Sequence, residues 1–282
     1  MRLSTANLSL APDAAIDLQL HTHYSDGKWT PEALLDHLVS RNFALAAITD
    51  HNRIDTTTEL QALALEKRLP LLVAAEFTTN WRGDVTDILC FGFDPFAPPL
   101  QAVAADLLRR QQDNTREVFA KLHQKGIRFD QPSVLGSVLS LPGAAQSDAI
   151  VALLESAGVE HAVNLVIESG AIFAMTEIAL VVDAAQRSGG LALVAHPGRG
   201  GGYVPFTVER LDQLRSEVPI DGFEAYYPLH LSEQTELFLA YAQIHDLLVS
   251  AGSDSHTPDK PPIKYPASHV RALLERLGIR VS

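Results

Sequence analysis

Residues 15–27, AIDLQLHTHYSDG, run an apolar stretch straight into two histidines and an aspartate. A run of this length, aliphatic and bounded by polar residues, reads as a buried strand. The same juxtaposition recurs along the chain. Leu45–Thr49 leads into His51, and Leu71–Ala75 into Glu76. Thr86–Phe91 carries Asp87 within it, and Leu191–Ala195 leads into His196. Gly222–Tyr226 contains Glu224, and Leu247–Ala251 precedes Asp254 and His256. Near-continuous apolarity suits parallel strands covered on both faces. Helical patterns separate most of these runs. Thr30 and Pro31 open one, with Leu34, Leu35, Leu38 and Val39 on a shared face; Ser232 opens another, with Leu237, Phe238 and Tyr241 on its apolar side. Alternating strands and helices predict an α/β fold, and seven units suit an incomplete relative of the eight-stranded barrel.

The middle of the chain departs from this alternation. Between about Leu100 and Ser188 the pattern is helical with no convincing strand. Leu100–Lys125 reads as a long amphipathic helix, Ser147 as the cap of a second ending before Gly158, and Thr176–Arg187 as a third. The expected organisation is a barrel from 1–99 and 189–282, with 100–188 as an inserted helical subdomain.

Composition narrows the class. With 282 residues and 46% hydrophobic content, the chain can bury a large core. Its opening residues, MRLSTANLSLAP, lack the apolar run of a signal peptide. No stretch approaches the roughly 20 apolar residues of a membrane span. A lone cysteine, Cys90, excludes an intramolecular disulfide and fits a cytoplasmic protein. A net charge of −12 argues against extended nucleic-acid binding, though not against a small anionic substrate. Eleven histidines beside one cysteine mean that any bound metal takes nitrogen and oxygen ligands, which suits Mn, Fe or Zn.

Taken singly, each ligand-type residue has an ordinary explanation. A histidine at a strand end is most often a hydrogen-bonded loop residue, SDG is a common turn, and a strand aspartate can pair with an arginine. Taken together they deliver a histidine or carboxylate near almost every strand end, and in a parallel barrel those ends converge. Uncompensated carboxylates and imidazoles packed there would be costly, whereas divalent cations make the arrangement favourable. A carboxylate such as Glu76 can bridge two of them.

These motifs resemble those of the PHP (polymerase and histidinol phosphatase) family. DLQLHTHYSDG resembles its opening D-L-H-x-H-T-x-x-S-D-G, while AITDHN, AAEFTT, VAHPGR, DGFEAYYPLH and AGSDSHT resemble later motifs in the same order. The resemblance implies a distorted seven-stranded barrel with a helical insertion, two or three divalent metals, and hydrolysis of phosphate esters. It aligns the first family histidine with Gln19 and the second with His21, leaving His23 as an extra residue beside the motif. It places Asp87 where the family commonly has histidine. The implied ligand sets are Gln19, His21 and Asp254; Asp87 and His196; and Asp26, His51 and His256, with Glu76 shared by the first two. Relatives often carry R-P-H-I-A in the insertion for phosphate recognition, where this chain reads AAQSDAI at 144–150.

The expected activity is metal-dependent hydrolysis of a small phosphorylated metabolite or nucleotide, with a metal-bridging hydroxide attacking phosphorus. Glu76, Asp254 and Arg199 form the expected catalytic set. Arg199, three residues beyond His196, can meet a phosphoryl group with its planar fork or remain a solvated loop residue. His230 and His23 are further candidates for substrate contact, and for His230 the alternative is that it caps a loop. Two other readings share the metal site: C–N or lactone hydrolysis, and a degenerate module with a regulatory or binding role. If the metal reading holds, protein purified without chelator carries at least one transition-metal equivalent by elemental analysis. A metal-free protein indifferent to added Mn or Zn contradicts it.

Overall fold

The computed structural model describes residues 5–129 and 132–282. Residues 1–4, which begin the stretch read as lacking a leader, lie outside it. The described residues form a mixed α/β fold. One sheet has the order Tyr265–Pro266, Ala15–Leu20, Leu45–Ile48, Leu71–Leu72, the last three strands parallel. The larger sheet has the order Leu248–Ala251, Gly222–Tyr226, Leu191–Val194, Asp84–Phe91, Ala74–Trp81, Thr176–Glu177. Ser9–Leu10 pairs with Arg280–Val281. Isolated bridges between Leu20 and Ser255, and between His51 and Glu76, join the two sheets. No helix among the described residues is long and apolar enough to cross a membrane.

Two strand expectations change. The third run divides at Val73: Leu71–Leu72 stays in the small sheet, and Ala74–Trp81 begins the large one. The fourth strand, Asp84–Phe91, runs antiparallel to both neighbours, against the expectation of parallel pairing. The cause is the two-residue turn Arg82–Gly83. Both residues have positive φ, 55° and 90°, as the tight primed hairpin turn requires, and Asn80 Oδ1 accepts from Gly83 N at 3.1 Å. The reversal pairs Thr78 with Asp87 and Glu76 with Leu89. Side chains of paired residues share a face, so Asp87 sits one diagonal step from Glu76. Asp87 therefore reaches the site from mid-strand rather than from a strand end.

The helices follow their sequence signals closely at some ends and less so at others. Thr30 Oγ1 accepts from Ala33 N, capping Pro31–Ser40, and Leu34, Leu35 and Leu38 are buried. Val39 is exposed instead, about 140° round the helix from Leu34 and so past the edge of the stripe that Leu34, Leu38 and Leu35 define. In the middle, Thr176–Glu177 pairs as a strand with Thr79–Asn80, so that helix begins at Ile178. Gln146, not Ser147, starts the Gln146–Ser156 helix; Gln146 is buried and accepts a hydrogen bond from Thr115. Pro98–Gln124 spans two apolar clusters. Its Leu100 and Leu107 pack with the large sheet and with Val181 and Val182. Its Val118 and Leu122 pack with Val138, Ile150, Leu154 and Val166.

Asp17 fastens the end of the chain to the first strand. Its buried carboxylate accepts from Ser253 N and Ile263 N, each at 2.9 Å, and burial pushes its pKa up to about 7. Asp17→Ala leaves those donors without partners, so it should lower unfolding free energy by about 3 kcal/mol in urea titrations. A change below about 0.5 kcal/mol, within the range of a neutral surface substitution, contradicts this anchoring.

Candidate metal centre

Strand ends feeding the site meet their neighbours through the backbone. His21 N donates to Ser255 O, Asp254 N to Gln19 O, and Asn52 N to Glu76 O, at 2.8–3.0 Å. These bonds bring His21, His51, Glu76 and Asp254 together from distant parts of the chain. His21 Nε2 lies 3.0 Å from Glu76 Oε2 and 3.2 Å from Asp254 Oδ1. On the other side of Glu76, His196 Nε2 lies 3.2 Å from Oε1 and 3.6 Å from Asp87 Oδ2. Around Asp26, His256 Nε2 stands at 3.3 Å and His51 Nε2 at 3.9 Å from Oδ2.

Three ligand groupings emerge, each with donor atoms within 4.8 Å of one another: His21, Asp26, His51 and His256; His21, Glu76 and Asp254; His51, Glu76 and Asp87. His21 and His51 each take part in two groupings, a sharing the motif spacing did not reveal. Buried atoms left without hydrogen-bond partners cluster here: both ring nitrogens of His21, Asp87 Oδ1, Gln19 Oε1 and His196 Nδ1. Imidazole nitrogens and carboxylate oxygens at this spacing fit divalent Mn, Fe or Zn.

Electrostatics point the same way. Burial works against a charged His21, yet Asp254 and Glu76 outweigh it and hold the imidazole well above its ordinary value. Burial likewise opposes the Glu76 carboxylate, but His51, His196 and His21 hold it well below the usual range. Burial and then the neighbouring Glu76 push Asp87 up. The cluster thus favours added positive charge, which cations satisfy.

Neighbouring groups aim the ligands. His256 Nδ1 lies 2.9 Å from Asp254 O and His51 Nδ1 lies 3.5 Å from Thr78 Oγ1, leaving Nε2 of each ring turned toward Asp26. Asp50, absent from the sequence expectations, is buried and accepts from Thr22 N, Thr22 Oγ1 and Ser25 Oγ, each at 2.8 Å. It holds the turn that presents Asp26. Gly27 is required there, since a Cβ would lie 2.6 Å from the His21 carbonyl. Glu224 Oε2 accepts from His196 N at 3.1 Å, supporting a histidine strained at φ 29°. Tyr203 donates to Asp87 Oδ2 at 2.6 Å, and Tyr227 to Asp254 Oδ2 at 3.4 Å. Neither tyrosine carried a metal-type signal in the sequence, because hydroxyls that hold a ligand in place need no motif.

Three expected residues take other positions or roles. Gln19 donates from Nε2 to Glu76 Oε2 at 2.9 Å, so its amide touches the cluster through a donor. His23 is exposed and turned away, its backbone N donating to Trp29 O and its Nδ1 3.3 Å from the same oxygen. His230 holds a loop rather than facing substrate: Nε2 accepts from Gly198 N at 3.0 Å and Nδ1 lies 3.1 Å from Ala225 O. Both ring nitrogens are spent. Gln234 Nε2 donates to Gly198 O, so the segment bearing His196 and Arg199 is clamped from two sides. Arg199 does lie at the rim, Nη1 3.5 Å from Asp254 Oδ2 and the guanidinium over the Tyr203 ring at 4.7 Å.

The family model described as PHP domain matches residues 17–192. The chain belongs to the PHP domain family. This PHP chain is 27% identical over 293 residues to a 3′,5′-nucleoside bisphosphate phosphatase of Chromobacterium violaceum, covering 90% of this chain and 95% of the relative. It is 29% identical to the 5′-3′ exoribonuclease Rnm of Escherichia coli, covering 86% and 85%. Among solved structures, one from Bifidobacterium adolescentis assigned as a metal-dependent phosphoesterase superposes with a TM-score of 0.76 at 25% identity, covering 94% and 97%.

Gln19→His replaces a donated hydrogen bond with an imidazole lone pair. It should raise metal affinity by about tenfold in calorimetric titrations, the scale of one improved ligand contact. Unchanged affinity and stoichiometry would remove Gln19 from the metal centre.

Proposed function

We propose that this PHP chain is a metal-dependent phosphoesterase acting on small phosphorylated molecules, with two to three divalent cations around Glu76. The observation that carries this reading is Glu76 itself. Its buried carboxylate turns Oε2 to His21 and Gln19, and Oε1 to His196. In this reading His21 and Asp254 hold one cation with the Gln19 amide beside them as a donor to Glu76, Asp87 and His196 hold a second, and Asp26, His51 and His256 a third, with Glu76 shared by the first two. We read the bridged sheets as a distorted seven-stranded barrel and 100–188 as its inserted helical subdomain, which the separate apolar cluster around Val118 and Leu154 supports.

Bound cations would neutralise phosphoryl charge and lower the pKa of a coordinated water. The chain's own side chains bind and orient. Arg199 offers its guanidinium to phosphoryl oxygens in two-pronged fashion. Partial burial works against its charge, but Tyr227, Tyr203 and Asp254 outweigh it and keep the group protonated. The Tyr203 and Tyr227 hydroxyls restrain Asp87 and Asp254, so these carboxylates keep their direction when a substrate anion arrives. The relatives' names, a bisphosphate phosphatase and an exoribonuclease, favour P–O over C–N cleavage. The net charge of −12 favours a small substrate over a long nucleic acid.

The test is a panel of phosphomonoesters, phosphodiesters and nucleotides with Mn supplied. Glu76→Gln should lower kcat by on the order of 10³-fold with loss of bound metal, and Arg199→Ala should lower kcat/KM by about 10²-fold with metal content intact. A fully metal-loaded wild type inert toward every phosphate ester sinks this reading in favour of a degenerate module or a C–N or lactone hydrolase.

A further inference from the structure

A cavity of about 540 Å³ opens beside His51, between the sheets and the helices of the 100–188 segment. Its walls are mostly apolar, with Ile54, Leu107, Leu108, Leu141 and Phe173 among the lining residues. The Phe173 ring meets His51 edge-on, centroids 6.0 Å apart, so the apolar space abuts the metal centre directly. Leu108 and Leu141 line it while remaining partly open to solvent.

The polar groups of the wall are largely occupied. Arg53 is the only Lys or Arg lining the cavity among the described residues. Its Nε and Nη2 donate to both oxygens of Asp55, at 2.9 and 2.8 Å, and its Nη1 donates to Tyr24 O at 2.6 Å. Three of its five N–H groups are therefore spent, its charge is paired with Asp55, and the Asp55 carboxylate beside it would repel an anion. Gln101 and Gln112 each spend one Nε2 N–H on a wall carbonyl, Pro95 O and Leu139 O, so each amide keeps one N–H and its carbonyl oxygen, both uncharged. Such neutral groups suit ligand hydroxyls and amines, and they bring no charge to meet a phosphate.

We infer that this cavity receives the leaving group, and that it selects phosphomonoesters of an uncharged alcohol of nucleoside size over esters bearing a second phosphate there. The inference rests on the phosphoesterase reading. The scissile phosphate sits at the metal centre, with Arg199 on its far rim. The ester oxygen points past His51, and an apolar, flat group packs against Phe173 and the Leu107–Leu108 wall. Hydrolysis breaks the P–O bond with water as co-reactant, giving inorganic phosphate and the neutral alcohol. A second phosphate in this space would lose its hydration without gaining a free cation.

Three measurements on the metal-loaded protein test this. For a nucleoside monophosphate, kcat/KM should exceed that for the matching 3′,5′-bisphosphate by at least about tenfold. Leu108→Arg, an exposed position on the Pro98–Gln124 helix, places a free cation in the wall and should shift that ratio toward the bisphosphate by about tenfold or more. Adenosine alone should bind, by calorimetry, and Ala105→Trp, which fills the cavity from the same helix, should abolish that binding. A wild type that prefers the bisphosphate, a ratio unmoved by Leu108→Arg, or a failure of adenosine to bind overturns the inference. Adenosine binding that Ala105→Trp abolishes, in a protein inert toward all phosphate esters, supports the cavity assignment while sinking the phosphoesterase reading.

Discussion

A fully buried carboxylate flanked by imidazoles on both sides cannot remain without added positive charge, and Glu76 is that group here. Its two oxygens face different nitrogen sets, so it divides the cluster and belongs to both halves. Water cannot solvate it, and the surrounding histidines must either hold protons or direct lone pairs at cations. Much of the local architecture serves that requirement. The Arg82–Gly83 turn reverses the chain to set Asp87 diagonal to Glu76, and the His51–Glu76 bridge closes the small sheet onto the large one.

Around this centre the fold accepts strain in exchange for direction. His196 and Asp254 both have positive φ, a backbone region that side chains other than glycine seldom occupy. Each is held there by a specific hydrogen bond, from His196 N to Glu224 and from Asp254 N to Gln19 O. His230 and Gln234 clamp Gly198 between them, and a Cβ at that glycine would lie 2.8 Å from both side chains. A residue that looks like a ligand in the sequence can thus serve the site by fixing a loop.

The helical segment does a different job. Its distal half packs on itself, while the proximal turns of the Pro98–Gln124 helix wall the cavity that His51 also lines. On the proposed reading, chemistry and choice of substrate fall to separate parts of the chain. The candidate metal ligands come from strand ends and strand interiors, and the cavity beside them is walled largely by helices. Changes in the helices can alter what is accepted without disturbing what is done to it.

Much of this was legible in residue order alone. Apolar runs ending in histidine or carboxylate located His21, His51, Glu76, His196, Asp254 and His256, because strand length and side-chain chemistry are local properties. The Thr30 cap and the helical character of most of the middle segment were local too. Other features depended on contacts between distant residues. The antiparallel fourth strand came from a two-residue turn without the usual Asn-Gly signal. The supports Asp50, Glu224, Tyr203 and Tyr227 act through hydrogen bonds that no spacing encodes. The outward turn of His23 and the loop-holding role of His230 were settled by where their ring nitrogens found partners. Sequence determined which groups could bind metal; tertiary structure decided how they are shared, because a hydrogen-bond partner or a common cation is a matter of distance through space.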